Sequence, residues 1–182
     1  MTWRLFVALQ PPQEVRDALL GCMGGIEGAR WQTDAQLHLT LAFMGEVDRH
    51  QAHDIASSLA SLRFPPIDVE LGHFGIFDNG RTGRVGVLWI GAEPVAPLTE
   101  LAARVRELGR QAGVTFDRRR FRPHITLARF SAPGAPEIAL RRFLTHTAAP
   151  VARWTAQEVI LFESRLGATG AHYEPLEHYP LG

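Results

Sequence analysis

Two histidines, His38 and His124, lie in nearly identical short segments of the chain. The first segment reads Leu-His-Leu-Thr-Leu-Ala-Phe over 37–43, and the second reads Pro-His-Ile-Thr-Leu-Ala-Arg over 123–129. Histidine titrates near neutral pH, so one imidazole can accept a proton while another donates one. This pair suits cleavage of a phosphodiester, because the attacking oxygen must lose a proton and the leaving oxygen must gain one.

Thr40 and Thr126 follow the two histidines by two positions. Side chains at i and i+2 of a β-strand point to the same face, so each threonine accompanies its histidine while the flanking aliphatic residues bury the other face. Each hydroxyl could then hydrogen-bond the non-bridging oxygens of a phosphate as charge develops on them. A single His-x-Thr triplet is common by chance, but two copies in one hydrophobic frame predict a shared catalytic cleft.

Arg129 ends the second segment where the first has Phe43. On a regular strand, a residue five positions after His124 points to the opposite face. Binding of phosphate by Arg129 would therefore require a bulge or a strand end, and otherwise Arg129 is a surface residue. The run Arg-Arg-Arg-Phe-Arg over 118–122 fits either a solvated loop or a rim that gathers RNA phosphates. Phe43, Phe77 and Phe121 are candidates for stacking if the ligand carries a base.

The elements that position these residues alternate between strands and helices. One predicted helix begins at Pro11-Pro12 and ends near Gly24-Gly25, and three others cover 48–62, 95–111 and 137–146. The predicted strands cover 3–9, 37–43, 67–77, 84–90, 121–130, 154–164 and 171–178, with a hairpin turn at 78–83. This mixture favours an α+β fold over a doubly wound parallel sheet. The length of 182 residues predicts one domain, 1–182, and the separation of the motifs by about half the chain predicts two similar lobes.

Composition excludes several kinds of chemistry. All 19 basic residues are arginine, so no lysine can form a Schiff base, a P-loop contact or a lysyl-AMP intermediate. The eight histidines show no zinc-binding spacing, and we expect no metal and no cofactor. The single cysteine, Cys22, fits a reducing compartment. The N-terminal segment reads as a strand and no apolar run approaches the ~20 residues of a membrane span, so we expect a cytoplasmic protein.

The chain resembles the two-histidine phosphoesterase superfamily, and within it the RNA 2′,3′-cyclic phosphodiesterase branch, historically called 2′-5′ RNA ligase. The resemblance covers almost the whole chain. It rests on the two motifs and on Arg4–Ala8, Arg30-Trp31, Phe43–Val47, Phe121-Arg122, Leu161–Gly167 and Tyr173–Leu176. It implies two pseudo-symmetric lobes of antiparallel-rich sheet with outer helices around a central cleft, and chemistry without a metal.

The resemblance implies hydrolysis of an RNA-terminal 2′,3′-cyclic phosphate to a 2′-phosphomonoester. His124 would activate water and His38 would protonate the departing 3′ oxygen, an order of roles that comes from the family alone. Thr40, Thr126 and Arg129 would bind the phosphate. The expected partners are RNA ends carrying the cyclic phosphate, with no membrane and no obligate protein partner, and the protein is expected to be a monomer.

Other functions remain open from the residues. One is the reverse reaction, ATP-independent 2′-5′ RNA ligation, because one site catalyses both directions. A second is a non-catalytic module that binds RNA ends; the intact histidines and threonines argue against it, since binding needs charge rather than two imidazoles. A third is hydrolysis of small cyclic nucleotides or of ADP-ribose cyclic phosphate.

Overall fold

The computed structural model describes residues 2–78, 84–117, 119–131, 133–167 and 170–182. The elements are β1 (Trp3–Leu9), α1 (Gln13–Cys22), β2 (Ala29–Trp31), β3 (Leu39–Val47), α2 (Arg49–Leu59), β4 (Ile67–Asp78), β5 (Val85–Glu93), α3 (Val95–Gln111), β6 (His124–Phe130), α4 (Glu137–His146), β7 (Arg153–Ala156), β8 (Glu158–Gly167) and β9 (Gly170–Pro180). Asp48 caps α2, because its carboxylate accepts a hydrogen bond from the Gln51 amide at 2.9 Å. Of the predicted turn at 78–83, residues 79–83 lie outside the described residues.

All nine strands of the described ranges belong to one sheet with the order β7-β4-β5-β6-β3-β1-β8-β9, and β2 pairs with β6 beside this path. Every pairing is antiparallel. The predicted α+β class is therefore confirmed. The sheet has two lobes, β3-β1-β8-β9 and β7-β4-β5-β6, which meet where Leu39 of β3 pairs with Ile125 of β6.

The two lobes repeat one order of elements along the chain. The series β1-α1-β3-α2 in the first lobe matches β5-α3-β6-α4 in the second. The lobes are nevertheless not the two halves of the sequence, since β8 and β9 return to complete the first lobe beside β1. The prediction of one strand over 154–164 is wrong for the same reason: the chain leaves the second lobe after β7 and enters the first at β8, with Gln157 between them.

The sheet has two chemically different faces. Leu5, Val7 and Leu9 of β1 belong to the main core cluster, and the helices cover this core face. The intervening Phe6 and Ala8 point to the opposite face, where they are buried with Ile160, Phe162 and the partly buried Tyr173. We call this opposite side the cleft face, because the residues of both motifs lie on it. No helix among the described residues is long and apolar enough to cross a membrane.

Substitution of Leu39 by alanine tests the junction between the lobes. Leu39 is fully buried and supplies one side of the pairing between β3 and β6. We expect Leu39→Ala to lower the free energy of unfolding by about 2–5 kcal/mol, measured by urea denaturation. Ile138→Ala is the control, because Ile138 is 86% exposed and its loss should change stability by less than ~0.5 kcal/mol. Equal effects of the two variants would contradict a tightly packed junction.

Candidate active site

The pairing of Leu39 with Ile125 brings the two motifs together in a crossed arrangement. Because the strands are antiparallel, His38 lies toward Thr126 and Thr40 lies toward His124. Leu39 and Ile125 are both fully buried on the core face. Their neighbours on either side therefore point to the cleft face, and both histidines and both threonines surround one position.

A bulge in each motif strand turns a further side chain to the cleft face. On β6, Leu88 pairs with Ala128 but Trp89 pairs with Thr126, so Leu127 is the extra residue. The bulge changes the alternation, and Arg129 consequently shares the cleft face with Thr126 instead of lying opposite. Arg129 therefore lies on the cleft face, whereas regular alternation along the strand predicts the opposite face.

A similar β-bulge occurs in β3. Ala42 pairs with Val7 and Thr40 pairs with Ala8, which makes Leu41 the extra residue. Phe43 then lies on the cleft face, where it is 57% exposed, and its ring centroid is 5.8 Å from that of Phe6. Equivalent positions of the two lobes therefore present an aromatic ring in the first and a guanidinium in the second.

Each histidine is fixed through Nδ1 by a carbonyl two residues earlier. His38 Nδ1–H donates to the Gln36 carbonyl at 2.7 Å, and His124 Nδ1–H donates to the Arg122 carbonyl at 2.7 Å. A carbonyl can only accept, so in the neutral ring Nε2 carries the lone pair and is the atom available for proton transfer. The two imidazoles thus share one tautomer.

The threonines differ between the motifs. The Thr40 hydroxyl donates to His38 Nε2 at 2.9 Å. Within the part of the chain that the structure describes, the Thr126 hydroxyl makes no comparable contact. The first motif therefore holds its own reactive nitrogen in an internal hydrogen bond, while the second leaves its hydroxyl free to meet a ligand.

Aromatic rings enclose both imidazoles. Tyr173 meets His38 edge-on with 5.1 Å between ring centroids, and Phe6 packs beside it at 4.9 Å. Phe77 meets His124 edge-on at 5.0 Å, and Trp89 packs beside it at 5.7 Å. Because the rings exclude water around the imidazoles, they favour the neutral form of both histidines.

Burial and positive charge lower the pKa of both histidines. Burial lowers the pKa of His38 from its ordinary value of 6.5 to about 4, and the positive charge of Arg129 contributes. Burial is also the largest cause of the lowered pKa of His124, followed by the charges of Arg129 and Arg122. Both lowered pKa values favour the neutral imidazole beside the guanidinium of Arg129, and this positive charge favours binding of an anion.

The remaining residues singled out in the sequence lie at different distances from the histidines. Phe77 lies in the cleft, whereas Phe121 packs against the core. In the basic run, Arg118 lies outside the described residues, and the Arg122 guanidinium lies 5.8 Å from the ring centroids of Phe77 and Trp89. Cys22 is distant from this chemistry: its thiol donates to the Leu19 carbonyl at 3.0 Å, and burial raises its pKa.

No group of three or more His, Cys, Asp or Glu side chains is arranged to hold a metal ion in the described ranges.

Trp89 is a cleft residue that the sequence analysis missed. Its indole lies across Gly75 of the neighbouring strand, where a Cβ would fall 2.2 Å from two of the ring carbons. Its Nε1 is buried without a hydrogen-bond partner among the described residues, so packing alone holds the ring. The Gly-Ile-Phe sequence at 75–77 is the local signal, since a glycine inside a strand often marks the close approach of another group.

Comparison with known proteins gives concordant results. A family model described as the 2′-5′ RNA ligase superfamily matches residues 11–168. A relative from Thermus thermophilus, named RNA 2′,3′-cyclic phosphodiesterase, is 35% identical over 187 residues and covers 98% of this chain and 90% of its own. One from Archaeoglobus fulgidus with the same name is 32% identical over 139 residues, 75% of this chain and 77% of its own.

A solved structure is also similar. Escherichia coli LigT complexed with 3′-AMP superposes with a TM-score of 0.78 at 27% identity and covers 100% of this chain and 99% of that one.

Replacement of Gly75 by alanine tests whether Trp89 positions His124. The new methyl group must displace the indole, so His124 loses its packing and its pKa should rise toward the ordinary value, as measured by NMR titration of the imidazole. Gly72→Ala on the same strand is the matched control, because its Cβ would meet the Gly91 backbone at 3.5 Å, an ordinary contact. An unchanged His124 titration in the Gly75 variant would show that the indole does not control this histidine.

Proposed function

The chain belongs to the 2′-5′ RNA ligase superfamily, and we propose on this basis that it hydrolyses RNA-terminal 2′,3′-cyclic phosphates through two histidines and without a metal ion. The observation that carries the proposal is the crossed arrangement of two His-Thr pairs on one face of the sheet, which follows from the pairing of Leu39 with Ile125. Relatives named RNA 2′,3′-cyclic phosphodiesterase support the reaction. The product would be a 2′-phosphomonoester with a free 3′ hydroxyl.

The proposed reaction needs one imidazole as base and the other as acid. One Nε2 removes a proton from water, whose oxygen attacks phosphorus; the bond from phosphorus to the 3′ oxygen breaks, and the second Nε2 delivers a proton to that oxygen. Following the family, we assign the base to His124 and the acid to His38. Both carry their tautomer-fixing hydrogen bond on Nδ1, so both present Nε2 to the cleft. Solvent then restores the two protonation states.

Binding of the phosphate would supply the negative charge that favours protonation of the acid. With its pKa lowered to about 4 by burial and by Arg129, the His38 imidazole assigned as the acid has no proton on Nε2 to donate near neutral pH. An anion placed beside it favours the imidazolium form, so the substrate itself raises the pKa of the acid. Thr126 and Arg129 would hold the non-bridging oxygens, and the Thr40 hydroxyl would exchange its contact with His38 for one with the phosphate.

Turnover of a short RNA ending in a 2′,3′-cyclic phosphate, assayed in EDTA, tests this mechanism. Wild type should release a 2′-phosphate, and His38→Ala and His124→Ala should each lower kcat by roughly 10²–10⁴-fold, the usual contribution of a general acid or base. His50→Ala is the control, because His50 is exposed on α2. Activity that disappears in EDTA and returns with a divalent metal would refute the metal-free mechanism, and retained end-binding without any turnover would favour a binding module.

The pH dependence provides a second test. Because the pKa of the imidazole that must carry the proton is lowered in the free enzyme, kcat/KM should fall with rising pH already below 6.5, while kcat should persist to higher pH since bound phosphate raises that pKa. Arg129→Gln removes a positive charge and should move both limbs of the kcat/KM profile upward in pH. Arg153→Gln, at a side chain that is 81% exposed on the edge strand β7, is the control. A profile unchanged by Arg129→Gln would contradict the electrostatic role of this residue.

A further inference from the structure

Arg30 and Arg129 form a pair on the cleft face that the reaction at the histidines does not explain. They are directly opposed on the antiparallel strands β2 and β6. The flanking residues Ala29 and Trp31 pack against the core, and the Trp31 ring lies 5.7 Å from that of Phe143. Arg30 therefore points to the cleft face, where the Leu127 bulge also places Arg129.

This pairing is unfavourable unless an anion occupies it. Like charges directly opposite each other on neighbouring strands are destabilising, and neither guanidinium contacts a carboxylate among the described residues, although both are exposed. By contrast, Arg106, Arg141 and Arg165 contact carboxylate oxygens at 3.6, 2.9 and 2.8 Å. Two unpaired guanidiniums on one face make a site for a phosphate, which accepts bidentate hydrogen bonds from each.

The pair lies in line with the motif residues. β2 and β3 run along the same side of β6, and the Gln32 amide donates to the Leu127 carbonyl at 2.8 Å, which fixes β2 against the bulge. From Thr126 to Arg129 the strand advances by three residues, or ~7–10 Å with allowance for the bulge. A nucleotide chain leaving the histidines in this direction would carry its next phosphate over the two arginines.

We infer that Arg30, together with Arg129, binds the phosphodiester that joins the terminal nucleotide to the preceding one. The inference rests on the proposed function and names its substrate class: oligonucleotides of two or more residues rather than cyclic mononucleotides. Arg129 lies between the two phosphates and serves both, whereas Arg30 contacts only the inner one. Arg30 is thus a specificity residue that does not touch the reacting atoms.

Two substrates separate this role from catalysis. Adenosine 2′,3′-cyclic phosphate lacks the preceding phosphodiester, and the dinucleotide ApA with a 2′,3′-cyclic phosphate has one. Arg30→Gln should lower kcat/KM for the dinucleotide about tenfold, the loss of one charged hydrogen-bond contact, and leave the mononucleotide unchanged within about twofold. The control is Arg153→Gln on β7, whose guanidinium is 81% exposed and lies at the far edge of the sheet. An equal loss on both substrates, or no loss on either, would overturn the inference.

A binding experiment distinguishes failure of this inference from failure of the proposed function. If wild type hydrolyses neither substrate, the proposed function fails, and fluorescence anisotropy of a 5′-labelled trinucleotide ending in a 2′,3′-cyclic phosphate decides the role of Arg30. Loss of one phosphate contact should reduce the slope of log K against log salt by about 0.7 in Arg30→Gln, and Arg153→Gln should keep the wild-type slope. Equal slopes in wild type and Arg30→Gln would overturn the inference.

Discussion

The pairing of Leu39 with Ile125 is the contact on which the rest of the site depends. These two buried side chains join the lobes and fix the antiparallel register between the motif strands. A shift of one motif strand by one residue would exchange the two faces of that strand, and it would move its histidine into the core and its aliphatic residues into the cleft. The same hydrophobic contact that stabilises the sheet therefore determines where each imidazole lies.

The bulges place different side chains on the cleft face at equivalent positions of the two lobes. Both motifs continue with a buried Leu-Ala pair, and in both the leucine is the extra residue. The residue two positions beyond it is Phe43 in one lobe and Arg129 in the other. The same kind of β-bulge thus places an apolar ring on one side of the reactive position and a cation on the other. Two pseudo-symmetric lobes therefore form one asymmetric cleft.

Much of this arrangement was predictable from sequence, because strand periodicity is local. The spacing of His38 and Thr40 placed them on one face, and α3 and α4 have the predicted bounds. The orientation of Arg129 was not predictable from alternation, although two consecutive buried residues at 127–128 mark the bulge. The separation of β7 from β8 depends on pairing with strands far away in sequence, and the position of the Trp89 ring depends on Gly75 across the sheet. Local patterns do not contain that information.

The return of β8 and β9 to the first lobe also affects how the protein is made. β1 and β3 are synthesised early, yet β1 has an unpaired edge until β8 is available to pair with it. On the ribosome, the first lobe must therefore wait for residues 158–180, while the strands β4, β5 and β6 of the second lobe have already been synthesised. Contacts of such long sequence separation slow folding and leave apolar edges exposed to aggregation. The cleft is therefore assembled in a late step, since the first lobe is complete only after the chain has passed to the second lobe and back.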